Sequence, residues 1–231
     1  MVASTGVVQA QTEPEAPRAP EKLMNGWQLS GWVGGSYNVF SGGYYDDESN
    51  ISFIADESST SMPFGVSLNV PVFEDASLYL RAGWHRTETS FFTGRFDSLR
   101  SRTGQGEIGD ELTVYYSMLT FDVLIRLIGR QDGERVYFGP SFGIVDTRRA
   151  RVVETEYPTG AKYLFSDRDI ESAHGVRRSF VIGAEYAFVP HKSIYIIPAI
   201  EIDYALQKLS TVQPLKPTFY KFLLSIAIQP F

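Results

Sequence analysis

Strict alternation of apolar and polar residues is the feature that most constrains how this chain can fold. In segment 61–72, SMPFGVSLNVPV, the even positions hold Met, Phe, Val, Leu, Val and Val, whereas the odd positions hold Ser, Pro, Gly, Ser, Asn and Pro. A period of two places successive side chains on opposite faces of an extended strand. The same pattern recurs in eight segments, 27–40, 61–72, 78–90, 112–128, 136–146, 178–188, 194–206 and 218–231. The sequence therefore predicts an all-β fold with eight strands.

The connections between these segments alternate in length. Short turns, FEDAS, GRQDGER and VPHKS, follow the second, fourth and sixth segments. The other connections are longer, among them 93–111 and roughly 149–176. This alternation indicates an antiparallel up-and-down meander in which all long connections lie at one end, as in transmembrane barrels.

The polar faces indicate which solvent the apolar faces meet. A β surface in water usually carries many charged side chains, but segments 27–40 and 61–72 contain none. Small polar residues suit a narrow lumen that side chains fill, and the apolar faces would then contact lipid. A barrel strand needs only ~9–11 residues to cross a membrane. We therefore predict an eight-stranded antiparallel up-and-down transmembrane β-barrel over residues 26–231. The alternative is a soluble lipocalin-like barrel with its apolar faces turned inward.

Residues 1–25 have a different composition from the rest of the chain. MVASTGVVQAQ is similar to the end of a signal peptide, although a basic n-region is missing and the apolar stretch is short. QTEPEAPRAPEK is rich in proline and charge, which is typical of an extended linker. We predict that 1–25 is a signal remnant followed by a flexible segment.

Several charged residues share the polar faces of the strands, and they carry both signs. They are Arg81, Asp122, Arg126, Glu185, Glu201, Asp203 and Lys221. Inside a narrow barrel these side chains would pair, because an unpaired buried charge is costly. We predict an ion-pair network in the lumen; the alternative is that some of these side chains lie near strand ends, in water.

The eight alternating strands, the long outer and short inner connections, the segment YFGPSFGIV (137–145) and the terminal Phe231 together resemble the small OmpA/OmpX-type outer-membrane barrels. This resemblance covers about 26–231 and implies a bacterial outer membrane, with membrane lipid as the surroundings. It also implies that Phe231 belongs to a signal read by the barrel-assembly machinery. The apolar residues of 222–228 lie one position out of phase with Phe231, which departs from the usual signal.

Composition and histidine placement argue against catalysis and against nucleic acid. The chain has no cysteine, which excludes thiolate chemistry, and its net charge is −6. Of three histidines, His191 falls in a short turn, His174 in a long loop and His85 on a polar strand face. Outer-membrane enzymes need a nucleophile, a histidine and an acid near the outer rim. His174 lies beside Glu171 and Ser172, but a loop histidine is usually only exposed to solvent. We predict no enzyme activity, no cofactor, no bound metal and no nucleic-acid partner.

Arginines flank the longest connection and suggest contacts with lipopolysaccharide. They are Arg148, Arg149, Arg151, Arg177 and Arg178. A guanidinium binds phosphate through two parallel hydrogen bonds, although such residues can also be ordinary solvated loop charges. The predicted function is a membrane anchor and a structural or interaction subunit of the cell envelope, with other envelope proteins as possible partners. The alternatives are a narrow porin-like channel for small solutes and a soluble lipocalin-like carrier.

Overall fold

A computed structural model of the chain describes residues 26–46, 51–55, 57–97, 107–129, 133–157, 159–170, 173–191 and 193–229. Within them the structure is built from β-strands, and no helix is long and apolar enough to cross a membrane. The strands are β1 (Gln28–Asp46), β2 (Ile51–Ala55), β3 (Ser58–Ser61), β4 (Phe64–Phe73), β5 (Ala76–Asp97), β6 (Glu107–Ile128), β7 (Glu134–Tyr157), β8 (Ala161–Asp169), β9 (Val176–Tyr186), β10 (Phe188–His191), β11 (Ile194–Ala205) and β12 (Lys216–Ile228).

Eight of these strands form a closed antiparallel ring. The order around it is β1, β4, β5, β6, β7, β9, β11 and β12. β12 closes the ring against β1 in a continuous register from Leu29 opposite Ile228 to Ser41 opposite Lys216. β3 and β10 continue the lines of β4 and β9, and β2 and β8 pair with the outer ends of β1 and β7. The predicted all-β, eight-stranded antiparallel barrel is confirmed.

The strands extend further than the sequence predicts. Parts of the two connections 93–111 and 149–176, which were predicted to be loops, are paired strands. The β5–β6 pairing continues to Asp97 opposite Glu107, inside the segment 93–111 that was expected to be a loop. Likewise β7 runs to Tyr157 and pairs with β8, so much of 149–176 is a hairpin. These segments are rich in charged residues, which is typical of loops. Pairing with the neighbouring strand nevertheless keeps them extended.

An apolar belt surrounds the half of the barrel nearest the short turns. On β6 the outward side chains from Leu119 to Leu127 are all large and apolar and remain 37–48% exposed. Ile200, Ile226 and Val66 show the same exposure on other strands, at 62%, 57% and 58%. A water-soluble monomer rarely exposes so large a continuous apolar surface. The belt is therefore the lipid-facing surface of a transmembrane barrel.

Above this belt the polarity of the wall inverts. On β5 the outward residues change from Leu80 and Trp84 to Arg86, Glu88 and Ser90 within a few positions. The interior at this level contains buried polar side chains, such as Thr89 and Glu154, and a large buried apolar cluster. The cluster consists of Phe40, Tyr44, Phe53, Phe91, Leu112, Val114, Tyr116, Met118, Ala150, Val152, Ile170, Leu209, Leu215 and Phe219. We call the belted half the membrane storey and the half above it the outer storey. Polar side chains fill most of the tube in the membrane storey, as expected, whereas in the outer storey they share the interior with the apolar cluster.

Candidate functional site

The lumen of the membrane storey contains a ring of buried ion pairs centred on Glu201. Arg81 donates from Nη1 to Glu201 Oε2 at 2.6 Å, and Lys221 donates from Nζ to Glu201 Oε1 at 2.9 Å. Arg81 also pairs with Asp122 at 2.6 Å. Both oxygens of the Glu201 carboxylate are thus bound to cations from two other strands, so Glu201 links opposite sides of the wall.

The same ring continues through Asp203. Lys221 Nζ donates to Asp203 Oδ2 at 3.0 Å, and Arg177 Nη2 lies 2.8 Å from Asp203 Oδ1. The resulting central ion network consists of the cations Arg81, Arg177 and Lys221 and the carboxylates of Asp122, Glu201 and Asp203. Cations and carboxylates are equal in number, and each is paired, as stable burial of charge requires.

A second, smaller set of ion pairs lies nearer the short turns. Arg126 and Arg135 both pair with the Glu185 carboxylate, at 3.0 and 3.1 Å. Arg126 also donates from Nη1 to Asn69 Oδ1 at 2.9 Å, and its guanidinium stacks over the Tyr79 ring. These residues form the lower ion network, in which two arginines share one carboxylate.

Aromatic and aliphatic side chains fill the lumen between the two networks. This layer consists of Trp32, Tyr79, Leu124, Tyr137, Val181, Ala199 and Leu223. Glycines make room for the large rings, because a Cβ at Gly83 would collide with Trp32 and one at Gly183 with Tyr137. Tyr137 donates its hydroxyl to Glu201 at 3.0 Å, which joins the layer to the central network.

Further layers close both ends of the tube. At the short-turn end Tyr195, Ile197 and Ala227 pack together, and Tyr195 donates to Gln229 at 2.8 Å. At the other end, above the central network, the apolar cluster of the outer storey fills the interior. The lumen is therefore occupied by side chains at every level that the structure describes.

The structure places the predicted lumen residues inside the barrel, in two groups. Arg81, Asp122, Glu201, Asp203 and Lys221 belong to the central ion network. Arg126 and Glu185 belong to the lower ion network.

Two arginines were misjudged or missed at the sequence level. Arg177 was predicted to contact lipopolysaccharide, but its side chain is 2% exposed and pairs with Asp203 inside the barrel, so that prediction is wrong. β9 begins at Val176, and the alternation that places Ser179 inward places Arg177 inward as well. Arg135 was missed because it borders a short turn, although it shares the inward phase of Tyr137.

The remaining predicted arginines lie at or above the upper edge of the apolar belt, in different settings. Arg149 and Arg151 face outward and are exposed, because a bulge at Asp146 reverses the phase of β7. Arg178 also faces outward on β9. Arg148 is half-buried and donates to the Ala173 carbonyl at 3.4 Å, so it holds the connection between β8 and β9.

His85, the buried histidine, does not form a catalytic triad with the described residues around it. His85 Nε2 lies 2.8 Å from Ser61 Oγ, and the imidazole ring packs on Phe219. Its Nδ1 has no hydrogen-bond partner among these residues, whereas a triad needs an acid there. Ser61 also accepts from Asn38 at 3.0 Å, so this contact belongs to a cluster of hydroxyl and amide groups. In the ranges described, no group of three or more His, Asp or Glu side chains could hold a metal ion.

Two expectations lie outside the described residues. Phe231, the expected assembly signal, follows the last of them, and residues 1–25, the expected signal remnant and flexible segment, precede the first.

Comparison with known proteins gives matches among solved structures alone. No family model matches the chain, and no curated protein matches it. Among solved structures, Ail, the attachment invasion locus protein of Yersinia pestis, is 12% identical, with 89% of this chain and 100% of that chain covered and a TM-score of 0.36. The N-terminal β-barrel domain of Pseudomonas aeruginosa OprF is 11% identical, with 88% and 98% covered and a TM-score of 0.36.

A third solved structure gives a similar match. The outer membrane protease OmpT from Escherichia coli is 9% identical, with 89% of this chain and 97% of that chain covered and a TM-score of 0.40. All three likenesses concern the barrel architecture and do not extend to activity. By its own closed ring of strands and its apolar belt, this chain has the architecture of the small eight-stranded outer-membrane β-barrels.

Proposed function

We propose that this chain is a non-enzymatic outer-membrane β-barrel that anchors a rigid outer platform and acts as a structural or interaction subunit of the cell envelope. The observation that carries this proposal is the filled lumen, in which two ion networks are separated by a packed aromatic layer. Side chains that fill the tube in this way connect opposite sides of the wall and oppose the passage of solutes.

The outer storey supports the second half of the proposal. It has a buried apolar cluster of its own, and its outward side chains include many charged and polar ones, such as Arg86, Glu88 and Arg149. A hydrophobic core of this size makes the strands above the membrane a rigid support. The hairpin connections are therefore presented to the outside on a fixed base, which suits contact with other envelope components.

Conductance in a planar lipid bilayer tests the proposal against a narrow channel. The purified barrel, checked for folding by its heat-modifiable migration in gels, should insert and give no steady current. A wide porin prepared in the same detergent serves as the positive control. Regular current steps from the folded barrel would contradict the filled lumen and support the porin-like alternative.

Behaviour without detergent tests the proposal against a soluble carrier. The apolar belt should make the folded chain depend on detergent or lipid, since exposed apolar surface of this extent drives association. A stable, monodisperse preparation in plain buffer would instead support the lipocalin-like alternative.

Membrane partners form the last part of the proposal. We propose that the barrel-assembly machinery inserts the chain and that Phe231 contributes to this step. In support, β12, which precedes it, is the strand that closes the ring. The variant Phe231→Ala should accumulate less heat-modifiable barrel in cells than the control Ile228→Val, which alters the last residue of β12. Equal amounts of the two would count against a role for Phe231.

A further inference from the structure

An outward groove of about 450 Å³ lies on the barrel wall at the boundary between the two storeys. Its lining includes Trp84 and Arg86 from β5, Tyr115 from β6, and Arg149 and Arg151 from β7. Four consecutive strands of the sheet contribute to it, because Asp167 of β8 completes one side. The groove is thus a feature of the rigid wall and does not depend on the tips of the hairpins.

Strand register and one bulge bring the arginines together. Arg86 pairs across the sheet with Ser117, and Tyr115 pairs with Arg149. Below the bulge at Asp146, the odd-numbered residues of β7 face the lumen, as Tyr137 does. Above it, Arg149 and Arg151 face outward. Without this bulge the two guanidiniums would point into the apolar interior, so the bulge determines the positive charge of the groove.

Two positive charges in the groove are available to bind an anion. Arg149 is paired with Asp167 at 2.6 Å. Arg86 and Arg151 form no ion pair with any described residue. Asp146 is the other carboxylate of the lining, and it accepts hydrogen bonds from Ser117 and Thr147. Guanidinium groups that line one groove and lack carboxylate partners suit a phosphate, which they bind through paired hydrogen bonds.

The position of the groove along the barrel axis indicates which class of phosphate-bearing compound it would bind. Trp84 forms its floor and is the last outward apolar residue of β5 before Arg86. On the two neighbouring strands the apolar belt begins at Leu119 and Ile144, which are paired with each other. Tryptophan and tyrosine are typical of the membrane–water interface. A phosphate held here would lie at headgroup level, with apolar wall directly below it for acyl chains.

From this geometry we propose that the groove binds the phosphate group of an outer-leaflet lipid, with Arg86 and Arg151 as the ligating side chains. The inference rests on the proposed function, since it needs the barrel to span the membrane. It narrows the expected lipopolysaccharide contacts to one site and adds Arg86, which lies on a strand remote in sequence from the other arginines.

Lipid binding by the folded barrel in detergent micelles tests this inference. The probes are lipid A carrying its phosphates, the same lipid A after removal of its phosphates, and inorganic phosphate. Phosphorylated lipid A should bind, and Arg86→Gln combined with Arg151→Gln should raise its Kd by about tenfold or more, since two charge-assisted contacts are lost. Lipid A without phosphates should bind the unaltered barrel about as weakly as the double variant binds the phosphorylated form.

The control is Arg178→Gln, which removes one outward arginine that lies outside the groove, opposite Phe142 at the upper edge of the apolar belt. Its Kd should stay within about twofold of the unaltered chain, because screened charges beyond the groove contribute little. An equal loss in Arg178→Gln would show diffuse charge attraction and overturn the site. Displacement of lipid by inorganic phosphate at comparable concentration would assign the groove to soluble phosphates and overturn the lipid assignment.

Folding is measured separately, so that the two proposals can fail independently. Each variant must keep the heat-modifiable migration of the unaltered barrel, since both substitutions lie on the exposed wall. If the unaltered chain does not fold into lipid, the proposed function fails. If it folds but binds both forms of lipid A equally, only the groove assignment fails.

Discussion

The membrane storey and the outer storey share strands but have opposite polarity. β5 and β6 pass through both without interruption, and along β5 the same alternate residues face inward from Ser77 to Phe91. Below Trp84 the outward residues are apolar and the inward ones are polar or aromatic. Above it the outward residues are charged or polar from Arg86 to Ser90, and the inward side adds apolar side chains such as Phe91 to buried threonines. The surroundings of the wall, hydrocarbon or water, therefore determine which kinds of side chain face outward and which face inward.

The interiors of the two storeys are held together by different forces. The outer storey gains stability from apolar burial, at roughly 25 cal/mol per Å² removed from water. The membrane storey buries charges, which is tolerable only because partners compensate them, as in the balanced central ion network. In the hydrophobic core, the loss of stability should increase gradually with the volume that is removed. In the ion network, removal of one partner should cause a large loss of stability at once.

Removal of the Glu201 carboxylate should have the largest effect of any substitution considered. Glu201→Ala leaves both Arg81 and Lys221 short of a partner inside the membrane storey. We expect a loss of about 3–5 kcal/mol in the free energy of unfolding, the cost of breaking a buried pair from one side. Urea unfolding of the barrel in lipid vesicles, followed by tryptophan fluorescence, measures it.

Glu88→Ala is the matched control, because Glu88 faces water on the outer storey. It should change the free energy of unfolding by no more than about 0.5 kcal/mol. A loss below about 1 kcal/mol for Glu201→Ala would mean that the central ion network is not needed to hold the wall.

A pair of leucine truncations compares the two kinds of apolar surface. Leu112 is fully buried inside the outer storey, whereas Leu127 faces lipid and is 38% exposed. Leu112→Ala should cost about 2–5 kcal/mol, because it loses transfer energy and also leaves a cavity. Leu127→Ala should cost about 1–2 kcal/mol, because only the transfer energy is lost and lipid refills the space. The same unfolding titration gives both values, and equal costs would contradict the inverted outer storey.

Much of the membrane storey could be predicted from the sequence, because its residues obey a single rule of alternation. Ile200, Phe222 and Ile182 face outward as that rule requires. The lumen charges are also recoverable, since Arg81 and Glu201 share the inward phase of their strands. What the alternation does not reveal is which charges meet across the lumen, because that depends on strand register around the closed ring.

The outer storey could not be predicted in the same way, for two physical reasons. Its outward face is polar, so segments such as 93–97 and 107–111 have the composition of loops although they are paired strands. The bulge at Asp146 then reverses the phase of β7, and no residue type in DTRRA signals that reversal. The groove arginines therefore follow from three-dimensional pairing and not from spacing along the chain.

A pair of arginine insertions tests the boundary between the storeys most directly. Ile200 lies in the apolar belt, flanked by Ala184 and Phe222, whereas Val153 faces outward on the outer storey opposite Glu111. Ile200→Arg should reduce the free energy of unfolding in vesicles by about 2–4 kcal/mol, because it places a charge in hydrocarbon. Val153→Arg should change it by about 0.5 kcal/mol or less, since the new side chain lies in water beside a carboxylate. Because both variants add the same side chain to an outward position, any difference between them reports the surrounding solvent. Similar costs at the two positions would show that water or lipid surrounds both, and the division into two storeys would then be wrong.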